Sequence, residues 1–169
     1  MDENRSMPRW TPHVTVAAII EQSGLYLLVE EETPEGLRLN NPAGHLDPGE
    51  SPEQGVVRET LEETGRVFVP DHLVGLYLAR FQRPTTGEDV TYLRLAYAGR
   101  VVGGPLPDRP LDTGIVRTLW MSPEDLRASR ERHRSALVLA CIEDHLAGRR
   151  YPLDLVHADP SLYAPEVKR

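Results

Sequence analysis

"GHLDPGESPEQGVVRETLEETG", residues 44–65, gathers six acidic residues around a single arginine. Its second half is punctuated as a helix. Ser51 suits the N-cap, Pro52 the first helical position, and Gln54 the reciprocal half of a capping box. Gly65 stands where a left-handed glycine would end the helix. With about 100° of rotation per residue and Glu59 at zero, Glu62 falls at roughly 300° and Glu63 at roughly 40°. Val56, Val57, Thr60, Leu61 and Thr64 fall between about 60° and 200°. One face is therefore predicted to pack on a sheet, and the other to carry three carboxylates spaced i, i+3 and i+4. Gly55, at roughly 320°, leaves room on the acidic side.

A solvated helix face ordinarily alternates signs to gain i,i+4 pairs. This one collects negative charge at a cost of a few tenths of a kcal/mol per pair. A hard divalent cation removes the conflict, because Mg²⁺ takes carboxylate oxygens and bridges to substrate phosphate. A plain surface helix, rich in glutamate because glutamate favours helices, is the competing reading of the helix alone.

Outward from this segment the chain alternates strands and helices. "HVTVAAII" and "LYLLVEEE" flank the turn signal Gln22-Ser23-Gly24 and read as a hairpin of buried strands. "LRLNNPAG" reads as a short strand ending at Asn41-Pro42. "LVGLYLARF" and "VTYLRLAYAGRVV" are further strands around the turn-rich "PTTGED", and "GGPLPDRPLDTG" is a loop. "LWMSPEDL" opens a short helix, with Ser122 as cap, Pro123 first and Asp125 completing a box. A longer helix over residues 135–147 puts Val138, Leu139, Ile142 and Leu146 on one side and stops at Gly148. This order predicts an α/β (α+β) sandwich with a mixed sheet. Residues 1–12 read as an arm, with Met7 a second candidate start, residues 13–157 as one domain, and 158–169 as a tail.

A chain of 169 residues can bury a sizeable core, and 40% hydrophobic with 27% charged residues is ordinary globular usage. A formal net charge of -7 argues against a nucleic-acid polymer as partner, since such binders carry a basic face. Small nucleotides stay admissible because a bound cation supplies positive charge locally. Cys141 is the only cysteine, so neither an intrachain disulfide nor a cysteine-rich zinc site is available. No signal-peptide pattern opens the chain, and the apolar run from Val14 to Ile20 is too short to cross a bilayer. A cytoplasmic protein is expected, and nothing in the sequence specifies an oligomeric state.

Gly44, Glu50, Arg58, Glu59, Glu62, Glu63 and Gly65 together match G-x5-E-x7-R-E-U-x-E-E-x-G-U, with U a bulky apolar residue. That is the Nudix box, and the chain resembles a Nudix hydrolase, which implies a Nudix-type α/β/α sandwich. Thr60 and Arg66 depart from the pattern at its two U positions. "PHVTVA", "VEEET", "NPAGHL", "RSALV" and "RRYPLDLV" are similar to stretches of the NudJ-type phosphatases within that superfamily. The resemblance implies Mg²⁺-dependent hydrolysis, with Mn²⁺ as a possible substitute, of nucleoside tri- and diphosphates with release of phosphate. It also implies action on the pyrimidine pyrophosphate precursor of thiamine.

Carried over position by position, Glu59, Glu62 and Glu63 are the expected metal ligands, with the Gly44 carbonyl as a further candidate. The metal would neutralise phosphate oxygens and acidify water. Glu59 first and Glu62 second are the candidate general bases. Glu50 is expected to orient Arg58 or ligate through water, and Arg58 to hold a neighbouring carboxylate in a bidentate pair. Arg38, Arg80 and Arg94 lie within strands, and Arg94 shares a face with Tyr92, a pair suited to phosphate and a ring. The ordinary reading of each is a snorkelling or ion-paired arginine on the sheet's open side. Arg134, near a helix N-terminus, and His45, beside Gly44, are further substrate-contact candidates. The remaining histidines show no ligand spacing, which removes a zinc reading, and Trp120 reads as core. Asp112 is near the place where relatives carry another acidic residue, but Gly114 occupies the equivalent position, so no extra ligand is expected from that loop.

The expected partner is thus a small nucleotide or pyrophosphate. Hydrolysis of ADP-ribose or another nucleoside diphosphate-linked compound is the alternative substrate class. A non-catalytic nucleotide-sensing domain on the same fold is the alternative function class, disfavoured because all three glutamates are present and no DNA-binding segment is attached.

Overall fold

The computed structural model describes residues 9–84 and 86–164; Met7 lies outside them. Among the described residues seven strands and three α-helices follow in chain order. They are β1 (His13–Gln22), β2 (Leu25–Thr33), β3 (Gly36–Asn40), β4 (Ala43–His45), α1 (Pro52–Thr64), β5 (Val67–Gln82), β6 (Asp89–Val102), β7 (Ile115–Met121), α2 (Pro123–Ala128) and α3 (Leu137–Leu146). The main path of the sheet is β3-β2-β1-β6-β5, with β4 on β1 and β7 on β2. β1 and β6 are parallel and the other pairs antiparallel, so the sheet is mixed.

The expected hairpin forms, but only at its turn. Ser23 and Gly24 take positive φ values of 54° and 82°, and pairing is confined to Glu21 with Tyr26 and Gln22 with Leu25. Beyond the turn the strands part. β1 runs between β6 and β4, while β2 runs between β3 and β7. Each strand finds full hydrogen bonding with a distant partner, which satisfies its buried amides without the hairpin.

β1 is the centre of the core. Val16, Ala17, Ala18, Ile19 and Ile20 are all at most 1% exposed, as expected for a strand covered on both faces. Val16, Ala18 and Ile20 meet Val56 of α1 together with Phe68 and Tyr97. Ile19 points the other way, to Leu126 of α2 and Val138 and Ile142 of α3. Helices thus cover both sides of the sheet, giving the α/β/α sandwich. Each buried Val, Leu or Ile side chain contributes about 1.5–3 kcal/mol.

The helix ends follow their punctuation. Ser51 accepts from the Gln54 amide (3.2 Å) and its own amide donates to Gln54 Oε1 (2.8 Å). Gly65 closes α1 at φ 66°, ψ 13°. At α2 Ser122 caps as expected, but Asp125 Oδ2 accepts from the Ser122 hydroxyl (2.7 Å), since a side chain shorter than Gln meets the nearer group. α3 spans ten residues, shorter than expected at both ends, and Leu146 is 47% exposed instead of joining the buried side. Of the two departures from the box, Thr60 is fully buried and bonds its hydroxyl to the Val56 carbonyl (2.7 Å). Arg66 lays its guanidinium over the half-buried Trp120, 5.8 Å from the ring centre.

Candidate active site

The loop between β3 and α1 is stitched to β1. The Ala18 amide donates to the Pro42 carbonyl (2.8 Å) and the Leu46 amide to the Val14 carbonyl (3.0 Å). β4 lies antiparallel on β1, with Gly44 opposite Val16. This lays residues 43–45 over the acidic side of α1. The expectation of an open acidic face is corrected accordingly: Glu59 and Glu63 are 8% and 7% exposed, and only the Glu62 side chain, at 37%, reaches solvent.

Gly44 is needed for space. Its φ is not in the left-handed region, but a Cβ there would overlap the Glu59 carboxyl group. Gly55 serves the same end one turn earlier, where a Cβ would come within 2.9 Å of Glu50 Oε1 and Leu46 Cδ1. Glu63 Oε2 accepts from the Ala43 amide (2.9 Å).

Arg58 organises the rest. It grips Glu50 through two nitrogens, Nε to Oε2 (3.0 Å) and Nη2 to Oε1 (2.6 Å). Its Nη1 donates to Glu59 Oε1 (2.7 Å) and Glu62 Oε2 (3.1 Å), and Nη2 also to the His45 carbonyl (3.0 Å). The Arg58 hydrogen bond holds the Glu50 carboxyl below its usual range. Burial pushes Glu59 up despite Arg58. Burial pushes Glu63 up to about 8, the Ala43 amide opposing and the charges of Glu59, Glu31 and Asp112 adding to the rise. Asp112, in the loop from which no extra ligand is expected, adds only its charge to the two buried carboxylates. Its amide donates to the Glu62 carbonyl (2.9 Å). Gly114, at φ 92°, serves instead to pair its carbonyl with the Glu32 amide (2.8 Å).

Among the described residues, no three His, Cys, Asp or Glu side chains stand together closely enough to hold a metal ion as placed. Arg58 takes the charge of Glu59 and Glu62 in this arrangement. The donor chemistry nevertheless fits a hard cation. The available atoms are oxygens, and burial disfavours the charged forms of two carboxylates, with the charge of Glu62 adding to this at Glu59 and that of Glu59 at Glu63. The cradle over Glu59 is kept open by the missing Cβ of Gly44. Mg²⁺ prefers such oxygen ligands and relieves such a conflict.

Beside this cluster is a cavity of about 220 Å³ lined by Gly44, His45, Tyr92, Arg94 and Arg134 among others. Arg94 is 7% exposed, so it does not lie on the sheet's open side; Nη1 and Nη2 donate to Asn41 Oδ1 (3.3 Å) and Asn40 Oδ1 (3.4 Å). Arg134 pairs with Glu31 at 3.6 Å. His45 is exposed as a residue, but its ring lies against His13 and Tyr92, and this partial desolvation, with the charge of His13, lowers its pKa. Arg38 and Arg80 are not in this cavity. They line an adjoining groove of about 510 Å³ that shares Tyr92, Phe81 and Arg134 with it. Arg80 is the ion-paired arginine of the ordinary reading, with Nε 2.8 Å from Asp89 Oδ1 and the side chain 73% exposed. Arg38 Nη1 donates to the Leu37 carbonyl (3.1 Å). Sequence reasoning missed Glu31, Asn40, Phe81 and Ser135, which line the cavity too.

The NUDIX domain family matches residues 11–140. Phosphatase NudJ of Shigella boydii serotype 4 is 34% identical over 146 residues, covering 86% of this chain and 90% of that protein. The same figures hold for Phosphatase NudJ of Escherichia coli K12. Among solved structures, a NUDIX hydrolase from Nitrosomonas europaea is 52% identical, with a TM-score of 0.79 over 88% of this chain and 98% of that one.

Proposed function

The chain belongs to the Nudix domain family and is a hydrolase of phosphoanhydride bonds, and from that premise we propose its substrate class and the roles of its residues. The substrates are nucleoside tri- or diphosphates, or a small pyrophosphate such as the pyrimidine pyrophosphate precursor of thiamine, cleaved with release of phosphate. The similarity to Phosphatase NudJ supports this choice. The observation that carries it is the pair of buried, charge-conflicted carboxylates, Glu59 and Glu63, held under Gly44 at the edge of an aromatic-walled cavity.

Glu59, Glu62 and Glu63 would hold Mg²⁺, with Mn²⁺ as a substitute, and the Gly44 carbonyl is a further ligand. Bound Mg²⁺ supplies neutralisation of phosphate oxygens and a more acidic water. Glu59 is the first candidate for the general base, because burial raises its proton affinity toward the working pH. Glu62 is the second. Glu50 fixes Arg58, and Arg58 in turn fixes the carboxylates of Glu59 and Glu62 until substrate and metal arrive. The protein works in the cytoplasm on small molecules.

A substrate panel with Mg²⁺ and Mn²⁺, scored by product, tests the proposal. Orthophosphate released directly from a nucleoside diphosphate is expected. A nucleoside monophosphate plus a second phosphorylated fragment would favour a nucleoside diphosphate-linked substrate such as ADP-ribose, for which the groove past Tyr92 offers room. Glu63→Gln is expected to lower kcat by about 100-fold or more, the loss of transition-state charge stabilisation that follows removal of an electrostatic group. Unchanged turnover in that variant would count against the role given to the glutamates, while nucleotide binding without cleavage by the native chain would favour a sensor domain.

A further inference from the structure

The floor of the cavity beside Gly44 is built by strands, not loops. Glu31 reaches it from β2, Asn40 from β3 and Arg94 from β6. Tyr92 and Phe81 form a wall, their rings stacked 5.4 Å apart at 9°. A flat aromatic wall beside a few convergent polar groups is how proteins hold planar heterocycles. About 220 Å³ suits a single ring system.

The two charged groups on this floor have unused bonding capacity. Among the described residues Glu31 is met only at long distance, by Asn40 Nδ2 at 3.5 Å and Arg134 Nε at 3.6 Å. Glu30, one residue earlier and on the other face of β2, is paired with both Arg117 and Arg132. Arg94 makes two long bonds with its terminal nitrogens, and its Nε–H has no partner among the described residues. A buried guanidinium and a largely covered carboxylate left this loosely partnered are costly unless something else completes them. An ionised carboxylate only accepts hydrogen bonds and a guanidinium only donates them. Both line the cavity that Tyr92 walls, so ionised Glu31 offers an acceptor and Arg94 a donor to a ring lying there.

We propose that Glu31 and Arg94 read the substrate's ring: Glu31 accepts from an exocyclic amino group, Arg94 donates to the neighbouring ring nitrogen or carbonyl, and the site thereby selects amino-bearing heterocycles over their keto counterparts. The inference rests on the phosphoanhydride-hydrolase reading, because the ring must arrive attached to a diphosphate. Ala43 and Gly44 line the same cavity and touch Glu63 and Glu59, so a ring seated there has its phosphates next to the carboxylate cluster. A keto oxygen in place of the amino group would face the Glu31 carboxylate acceptor to acceptor, so that neither supplies the other with a donor.

Cytidine and uridine diphosphates differ in this amino-to-keto change and in the hydrogen that uracil then carries on the neighbouring ring nitrogen, which would face Arg94 donor to donor. The wild-type enzyme is expected to favour CDP over UDP in kcat/KM by about 10-fold or more. Glu31→Gln keeps the shape and adds an N–H donor, so it is expected to narrow or reverse that ratio. A purely structural role would lower both substrates by one factor and leave the ratio alone. Calorimetric binding of CMP and UMP without metal gives the same comparison independently of turnover. Equal values for the two nucleotides, or a ratio that Glu31→Gln does not move, overturns the proposal. Failure to cleave either diphosphate would overturn the catalytic reading instead, and the metal-free binding ratio would still decide this one.

Discussion

A methyl group added at Gly44 would land on the carboxyl group of Glu59, well inside van der Waals contact. The obstacle is the far end of a flexible side chain, and the backbone at Gly44 is not left-handed, so the fold can accept the change by swinging Glu59 aside. Gly44→Ala is therefore expected to change stability by less than about 1.5 kcal/mol. Activity should fall by about 10- to 100-fold, because a displaced carboxylate no longer sits where charge develops. Gly99 makes the opposite case. There a Cβ would strike the Val69 carbonyl and lie 2.8 Å from Pro70 Cα, backbone atoms of the paired strand. Gly99→Ala should cost about 1–3 kcal/mol in denaturant titrations. Seven fixed positions make the acidic helix legible in the sequence, yet the reason for Gly44 is not, since it depends on where Glu59 lies. The same holds for the Glu30–Glu32 run. Alternation sends Glu30 and Glu31 to opposite faces, but Arg117 and Arg132, which receive Glu30, are distant in the chain.

At the scale of elements, legibility follows the range of the signal. α1 is fixed by neighbours within four residues, and its Ser51–Gln54 box and Gly65 stop are where the sequence puts them. Ser51→Ala removes one capping bond and should cost about 1 kcal/mol, read as a melting temperature lower by about 2–4 °C in a chain of this size. β1 and β2 are equally plain as strands, but their parting after two paired residues answers to β6, β4, β3 and β7. β2 is also clamped by Glu30, which is 2% exposed and joined to Arg117 of β7. The Arg117 hydrogen bond leads the causes that hold the Glu30 carboxyl below its ordinary value. A depressed folded value means that Glu30 stabilises the fold above its ordinary range and loses that contribution as pH falls through the lowered value. Glu30→Gln should cost about 1 kcal/mol near pH 7, the solvent exposure of both arginines keeping the figure small. The gap between variant and wild type should narrow in melts taken at progressively lower pH; a gap of constant size would rule the ion pair out as its source.

In the molecule as a whole, the same two-sided burial that makes a dry sheet also traps histidines away from water. His72 on β5 is 7% exposed and both ring nitrogens lack partners among the described residues, while His145 of α3 stacks on it with centroids 6.0 Å apart. His145 Nδ1 is joined to the Tyr26 hydroxyl (2.7 Å). Burial lowers the pKa of both imidazoles. At His72 Arg150 and His145 lower it further and Asp71 opposes; at His145 Glu21 opposes burial and Arg150 lowers it further. None of this was visible in histidine spacing, because the two rings lie far apart in sequence and meet only through the packing of α3 on the sheet. Since the folded values lie below the unfolded value of about 6.5, the unfolded chain binds protons more readily. The stability from neutral His72 and His145 is complete above that value and is lost as pH falls through the folded values. His72→Leu removes one of these groups and fills the space with carbon. Wild type should lose more melting temperature than His72→Leu between pH 8 and pH 5, with each kcal/mol of difference read as about 2–4 °C. Parallel loss in the two proteins would mean that His72 is already solvated in the fold, and that the core between α3 and β5 is less dry than its packing implies.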